Sequence, residues 1–378
     1  MDHGPSTDMR YYIIAGERSG DLHGSNLVRA IRKHDPDALF RGLGGDYLRD
    51  AGVELFVHYA EFAVMGFVEI LLNIIKISGY LRKCGKDIQA FQADVIILID
   101  YAGFNRQMAR FGKRNNIRVF YYISPKVWAW NRGRAHQLKA NVDRMFVILP
   151  FEKDFYKQFD WDVDYVGNPV LDSVKAHQSD ENFLSKKDLK TNIPIVALLP
   201  GSRKQELLNM VPVMCKVIER FPEFQFAVAT VNNLEKKLYD PLAHFPNVRF
   251  VEEDTYNLLQ HAHAAIVTSG TATLETALFK VPQVVVYRAG TLSYHLAKMV
   301  IRVEYISLVN LIAVKTVVKE LIQKDATPAK ISAELKALLS DGAYRNDMLA
   351  EYDDIIKLLD TGSASENAAR LMIQYLRG

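Results

Sequence analysis

Cysteine is scarce in this chain. Two residues in 378, Cys84 and Cys215, stand in different halves and different surroundings. That argues against a disulfide framework and a cysteine zinc site, and it fits a reducing, cytosolic compartment. An excess of one charge is also lacking, since 47 Lys and Arg against 44 Asp and Glu leave a formal net charge of +3. So small a surplus does not indicate nucleic acid, although it would not oppose docking on an anionic membrane. The ten histidines form no HExxH or other ligand spacing, so neither a metal site nor a cofactor is expected. GxGxxG, the Walker A lysine pattern and the GxSxG elbow are missing too, which leaves dehydrogenase, kinase and hydrolase readings unsupported. MDHGPSTDMR, the first ten residues, holds no apolar core and does not read as a signal peptide; Met9 is a candidate natural start. Long uncharged apolar runs are absent as well. FAVMGFVEILLNIIKISGYL, Phe62 to Leu81, comes nearest, but Glu69, Asn73 and Lys76 interrupt it. One charge at mid-span costs about 2.5–3.5 kcal/mol. The segment reads either as a buried helix or as one that turns apolar surface toward a bilayer or acyl chains.

What is present is an ordinary globular balance, 49% apolar and 24% charged, in a chain longer than one core usually supports. Short apolar strands alternate with helical patterns: YYIIAG, LFRGLGG, VIILID, VFYYIS and MFVILP, then IPIVALLPGSR, FQFAVAT, VRFVEE, AAIVTSG and QVVVYR. Alternation of this kind means βαβ units and parallel sheets, hence an α/β chain of two Rossmann-like halves that meet near Val166 to Asp172. From about Leu308 the strands are expected to stop, with KTVVKELIQ, PAKISAELKALLS, EYDDIIKLLD and ENAARLMIQYLRG as successive helices. The expected divisions are 1–170, 171–345 and a helical tail, 346–378. Open sheets bind ligands beyond the carboxyl ends of their strands, so two of them predict an interdomain cleft.

Asp100 ends the run Val95 to Ile99, at such a carboxyl end. It reads as a functional acid, as the N-cap of the next helix, or as both. In AIVTSGTATLETA a buried strand delivers Ser269, Gly270 and Thr271 to the first turn of a helix, where free amides and the dipole suit a diphosphate. Glu275 follows about one turn in, placed to accept from ribose hydroxyls; the alternative is a plain capping box. VALLPGSRKQEL sets Arg203 at the mouth of another helix as a fork for phosphate, or as a surface partner of Glu206. IIAGERSGDLHGSNL places Gly16, Ser19 and Gly20 in a close-approach loop between the first strand and helix. SPKVWAWNRGR interleaves tryptophans with Lys126 and arginines, as a cleft-lining loop or, less directly, a single-strand-binding cluster.

These segments together resemble the lipid-A-disaccharide synthase family, inverting glycosyltransferases of the GT-B type. The resemblance rests on AGERSGDLHG, GLGGDYLRDAG, VMGFVEIL, SPKVWAW, VDRMFVILPFE, VGNP, LLPGSR, SGTATLE, YISLVNLIA and VVKELIQ, and it runs from about Tyr11 to the C-terminal helices. It implies two Rossmann-like domains around a UDP cleft, acceptor side first and UDP-sugar side second, with the C-terminal helices crossing back to the N-terminal domain or onto a partner subunit. It also implies UDP-2,3-diacylglucosamine as donor, 2,3-diacylglucosamine 1-phosphate as acceptor, a β-1′,6 linkage and release of UDP. A peripheral enzyme on the cytoplasmic face of an inner membrane is implied too, together with a homodimer that exchanges C-terminal elements. Asp100 matches the family's candidate catalytic aspartate; Arg203, Ser269, Gly270, Thr271, Thr273 and Glu275 match its UDP side. Gly16, Ser19, Gly20, Asp21 and Asn310 match substrate positions. With acylated substrates, Val64, Met65, Phe67, Ile70 and Leu71 become expected acyl-chain or membrane contacts.

Some positions depart from the family pattern. Tyr101-Ala102-Gly103 stand where a small residue and Pro-Asp are usual, so Asp100 has no second acid in its own loop. Ala313-Val314-Lys315-Thr316 replace Ala-Gly-Arg-Glu, and Arg18 and Asn168 replace alanine and histidine. The alternatives carried with this reading are another UDP-sugar GT-B enzyme, such as an epimerase, and a relative that binds nucleotide or lipid without turnover.

Overall fold

The computed structural model describes residues 8–63, 74–288, 304–340 and 342–378. It divides into two units, one comprising residues 1–169 with 361–378 and the other Val170–Asp360. The strands of the first unit are β1 (Arg10–Ala15), β2 (Leu39–Gly44), β3 (Glu54–His58), β4 (Val95–Ile99), β5 (Arg118–Tyr122), β6 (Arg144–Val147) and β7 (Asp164–Tyr165). They form one parallel sheet in the order β3-β2-β1-β4-β5-β6-β7. All five residues of β4 are fully buried, as strands covered on both faces must be, and a β-branched, apolar run supplies that.

The second unit contains β8 (Ile195–Leu199), β9 (Gln225–Thr230), β10 (Val248–Glu252), β11 (Ala262–Thr268), β12 (Gln283–Tyr287) and β13 (Lys319–Ile322). Their order, β10-β9-β8-β11-β12-β13, repeats the plan of the first six strands. In each unit the order reverses beside the first strand, between β1 and β4 and between β8 and β11. Loops that leave such neighbours in opposite directions open a crevice at the carboxyl edge.

Two expectations fail at sheet edges. KTVVKELIQ is not helical: β13 pairs in parallel with β12, Val284 opposite Lys319, and Val317, Val318 and Leu321 are buried. A short apolar run flanked by lysines fits either period, and the open edge of the sheet decides it. β3, concealed by its polar flanks, has no counterpart among the expected strands. At the other end of the chain, the Ala343–Leu359 helix stays with the second unit and only the Ala364–Arg377 helix returns to the first. It packs on the Arg18–His34 helix, and Ala368, Ala369, Met372 and Ile373 enter the core of the first sheet. Arg118 Nη1 donates to the carbonyls of Tyr375 and Leu376, each at 2.9 Å, and Ser363 caps the helix by accepting from Glu366 N.

Candidate active site

In the first unit, Ala15 of β1 pairs with Ile99 of β4, so the loops beginning at Gly16 and Asp100 emerge side by side at the point of reversal. Asp100 and Tyr101 are both left-handed, with φ of 45° and 41°. Side chains other than glycine lose about 1–2 kcal/mol there, and such strain persists only where surroundings enforce it. The Asp100 carbonyl accepts from Tyr121 Oη and from Asn105 Nδ2 at 2.9 Å, and Asn105 Nδ2 also reaches the Ile99 carbonyl at 3.1 Å. Asp100 N donates to the Tyr122 carbonyl at 3.3 Å. Gly16 is required by a close approach: a Cβ on it would lie 2.2 Å from the Tyr101 ring.

The capping reading of Asp100 does not hold. Tyr101 occupies the N-cap of the Ala102–Arg114 helix, and no side chain caps that helix. That carboxyl faces Glu17 and Lys126 and accepts from Tyr101 N; burial, then the charge of Glu17 and a hydrogen bond with it, push the group up to about 7, while Lys126 opposes them. Asp100 thus has an acidic neighbour after all, from the loop after β1. Glu17 and Asn105 are residues of this site that sequence reasoning did not assign, and Lys126 was read only as part of a cleft-lining loop. The signal was present only as adjacency of β1 and β4, which no local pattern encodes.

The other first-unit candidates separate. Asp21 is fully buried, and its carboxylate accepts from the amides of Gly45 (2.6 Å), Tyr47 (3.0 Å) and Leu48 (3.3 Å). It therefore ties the first helix to the start of the Asp46–Asp50 helix, and burial raises it although those amides pull it down. Gly20 packs toward Ala15 and Ile99, and Ser19 is exposed in the first helical turn. Trp128 is buried, with its indole engaged by Glu152, so it offers no stacking face to a nucleic acid.

In the second unit, Gly201 (φ +114°) leads from β8 into the Lys204–Ile218 helix. Glu206 accepts from the amides of Ser202 (3.0 Å) and Arg203 (3.2 Å) and from Arg203 Nη1 (3.3 Å). The Arg203 side chain is nonetheless 79% exposed, so its pairing with Glu206 is a solvated one that an arriving anion can replace. Gly270 and Thr271, both exposed, open the Thr271–Leu278 helix directly after β11.

Several hydroxyls here are already engaged. Ser269 Oγ donates to the Ile306 carbonyl (2.8 Å), and Thr273 Oγ1 donates to the Gly270 carbonyl (2.8 Å) and accepts from Leu308 N (3.3 Å). These bonds brace the turn from behind. Glu275 Oε1 accepts from Tyr256 Oη at 3.2 Å, and burial raises its carboxyl.

Asn310 is 1% exposed. Its Nδ2 donates to the Val318 carbonyl and Glu320 Oε1, both 2.9 Å, while its Oδ1 accepts from the amides of Val317 (2.8 Å) and Val318 (2.9 Å). An amide side chain has two donor and two acceptor positions, and all four are filled. Asn310 shapes the loop that carries it and has no bond left for a substrate.

Val64, Met65, Phe67, Ile70 and Leu71 lie outside the described residues. Among the described residues no helix is long and apolar enough to cross a membrane, and no three His, Cys, Asp or Glu side chains gather as metal ligands would.

Comparison with known proteins agrees with this geometry. A UDP-GlcNAc 2-epimerase from Neisseria meningitidis, solved with UDP-GlcNAc, superposes with a TM-score of 0.67 at 13% identity, covering 98% of this chain and 100% of that one. That likeness is one of fold, the two-domain GT-B arrangement. Sequence relatives go further. The lipid-A-disaccharide synthase of Syntrophus aciditrophicus is 42% identical over 97% of both chains, and that of Geobacter sulfurreducens is 39% identical over 98% of both. The model of the lipid-A-disaccharide synthetase family matches residues 11–373. Matched to that family's model over residues 11–373 and 42% identical to a relative over 97% of both lengths, the chain belongs to the lipid-A-disaccharide synthetase family.

Proposed function

We propose that this glycosyltransferase moves 2,3-diacylglucosamine from UDP-2,3-diacylglucosamine to the 6-hydroxyl of 2,3-diacylglucosamine 1-phosphate, forming a β-1′,6 linkage and UDP. The observation that carries the mechanism is Asp100, strained into place at the first unit's point of reversal with its carboxyl pushed up to about 7. A base is most effective when its pKa lies near working pH, and inversion needs one base to take the acceptor proton as oxygen attacks the anomeric carbon. Asp100 takes that proton. Glu17, beside it, strengthens the hold of Asp100 on that proton. On the second unit, the Gly270 and Thr271 amides and the Arg203 guanidinium receive the leaving diphosphate, where preorganised donors stabilise growing negative charge. Glu275 holds the ribose through the oxygen that Tyr256 does not occupy. Ser269, Thr273 and Asn310 act through the turns they brace.

The same reading makes the enzyme peripheral to the cytoplasmic face of the inner membrane and dimeric, with the Phe62 to Leu81 segment covering acyl chains. Flotation with anionic vesicles and sedimentation test those two parts. The chemistry is tested by incubating the protein with donor, acceptor or both and following UDP. Release that requires both substrates, with a disaccharide 1-phosphate by mass, supports the synthase. Release from donor alone would identify a hydrolase or epimerase, and binding without release a non-catalytic relative.

A further inference from the structure

Asp100 and Tyr101 are not the only left-handed residues at this edge. Ile123, one residue past β5, has φ +66°. A β-branched side chain is a genuine outlier there, and strain of this kind gathers where function needs a fixed geometry. The segment that Ile123 turns carries Lys126, and β5 lies next to β4. Asp100 N is bonded to the Tyr122 carbonyl, so the start of this segment is tied to the Asp100 loop itself.

Glu152 holds the segment from below. It stands in the first turn of the Phe151–Lys157 helix and is 1% exposed. Its Oε1 accepts from Ser124 Oγ at 2.8 Å and from Trp128 Nε1 at 3.2 Å; its Oε2 accepts from the amides of Ile148 (3.2 Å) and Leu149 (3.0 Å). Tyr156 Oη lies 3.0 Å from Ser124 Oγ and extends the network. Ser124 and Trp128 flank Lys126 by two residues on either side. The grip therefore fixes both ends of the short arc that presents the lysine. A buried carboxylate is a costly staple, since a well-packed apolar contact would stabilise a loop at least as well. What it supplies that packing does not is direction: four hydrogen bonds fix the geometry of the arc that carries the charge.

We propose that Glu152 is a positioning residue of the transfer reaction, fixing Lys126 against Asp100 by gripping residues 124 and 128 from the buried side. This rests on the reading of Asp100 as the base. The groups facing Asp100 are Glu17 from the loop after β1, Lys126 from the gripped segment, the Tyr101 amide on its carboxyl and the Tyr121 hydroxyl on its carbonyl. Of these, Lys126 is the cation, and it favours the ionised base.

The test follows Asp100 directly. In full-length protein carrying 13C-carboxyl aspartate, the Asp100 resonance is identified by its loss in Asp100→Asn and titrated in the wild type, Lys126→Gln, Glu152→Gln and the double variant. Removing a nearby opposite charge moves the midpoint of a carboxyl by about one pH unit or more. Lys126→Gln should raise the midpoint by about that much; Glu152→Gln should raise it comparably, and the double variant no further. The kcat/KM for UDP release gives a second readout. A midpoint about one pH unit higher in Glu152→Gln should lower it about tenfold below both midpoints, and the two proteins should converge above them. Trp128→Phe, which deletes one donor, should shift the midpoint the same way by less, and it replaces Glu152→Gln if that variant does not fold. An unmoved Asp100 midpoint in Glu152→Gln or its substitute, or in Lys126→Gln, overturns the proposal. A loss of activity equal at every pH would make Glu152 a structural staple only. Because the titration needs no turnover, a wild type that titrates as described yet releases no UDP would refute the reaction and leave the positioning intact.

Discussion

Asp100 is costly to the folded chain in two ways, through its left-handed backbone and through a carboxyl that stays protonated to about pH 7. The second cost has a sign that can be measured. An ordinary aspartate ionises near pH 3.9, so between there and 7 the folded state holds a proton that the unfolded state has released. Stability from this group is therefore complete below the unfolded value, falls as pH rises toward 7 and is level above. Asp100→Asn removes the liability. Its melting temperature should equal that of the wild type at pH 4, exceed it increasingly up to pH 7 and keep the margin at pH 8, while turnover falls about 10²- to 10⁴-fold. A melting temperature lower at pH 8 than that of the wild type would contradict the burial of an ionised base. Val314 is a different case of residue-scale strain. It ends the Leu308–Ala313 helix at φ 55° and is 74% exposed, at the position where the family resemblance expects glycine. Val314→Gly should raise stability by about 1 kcal/mol, read as a higher urea midpoint at constant slope.

At the scale of elements, the segment from Ile306 to Ile322 shows both what sequence conveys and what it leaves out. Its helix was not assigned from sequence, although the signal was local: Ser307 caps the turn by accepting from Asn310 N. Its strand was not assigned either, because Lys319 and Glu320 interrupt the apolar run and β13 is selected by the vacant edge of β12. Neither could the role of Asn310 be read, for the family match marks the position while the bonds belong to a loop folded back on it. Glu320 completes that stitch by accepting from the amides of Ile306 and Ser307, each at 3.0 Å, and from Ser307 Oγ at 2.8 Å. Asn310→Ala would leave two buried amides and a carbonyl without partners. It should cost about 3 kcal/mol in urea unfolding of the second unit, since each orphaned group loses about 1–3 kcal/mol. Near-wild-type stability with lost turnover would instead mean that Asn310 meets substrate.

On the scale of the whole molecule, the sequence conveyed the α/β alternation, the two halves and both crevice-forming loops, because each rests on a buried β-branched strand ending in turn residues. It could not convey Glu17 beside Asp100, or Glu152 under Lys126, since those contacts arise from strand order. That C-terminal helices cross back to the first unit came from the family resemblance, and of the two expected in 346–378 only the Ala364–Arg377 helix does so. Met372 is fully buried in that unit's core, on this helix. Met372→Ala should cost about 2–5 kcal/mol and lower the unfolding transition of the first unit while leaving that of the second in place. A uniform drop in both would show the two units unfolding as one.

The seating of the Ala364–Arg377 helix on the Arg18–His34 helix also sets an order of events during synthesis. Residues 1–169 leave the ribosome with that groove empty, and Val170–Asp360 must be made before its occupant exists. At about 5–20 residues per second the wait is roughly 10–40 s. The unit that carries Asp100 is begun first and completed last, so its apolar groove is a target for chaperones in nascent chains and for proteases in prematurely terminated ones.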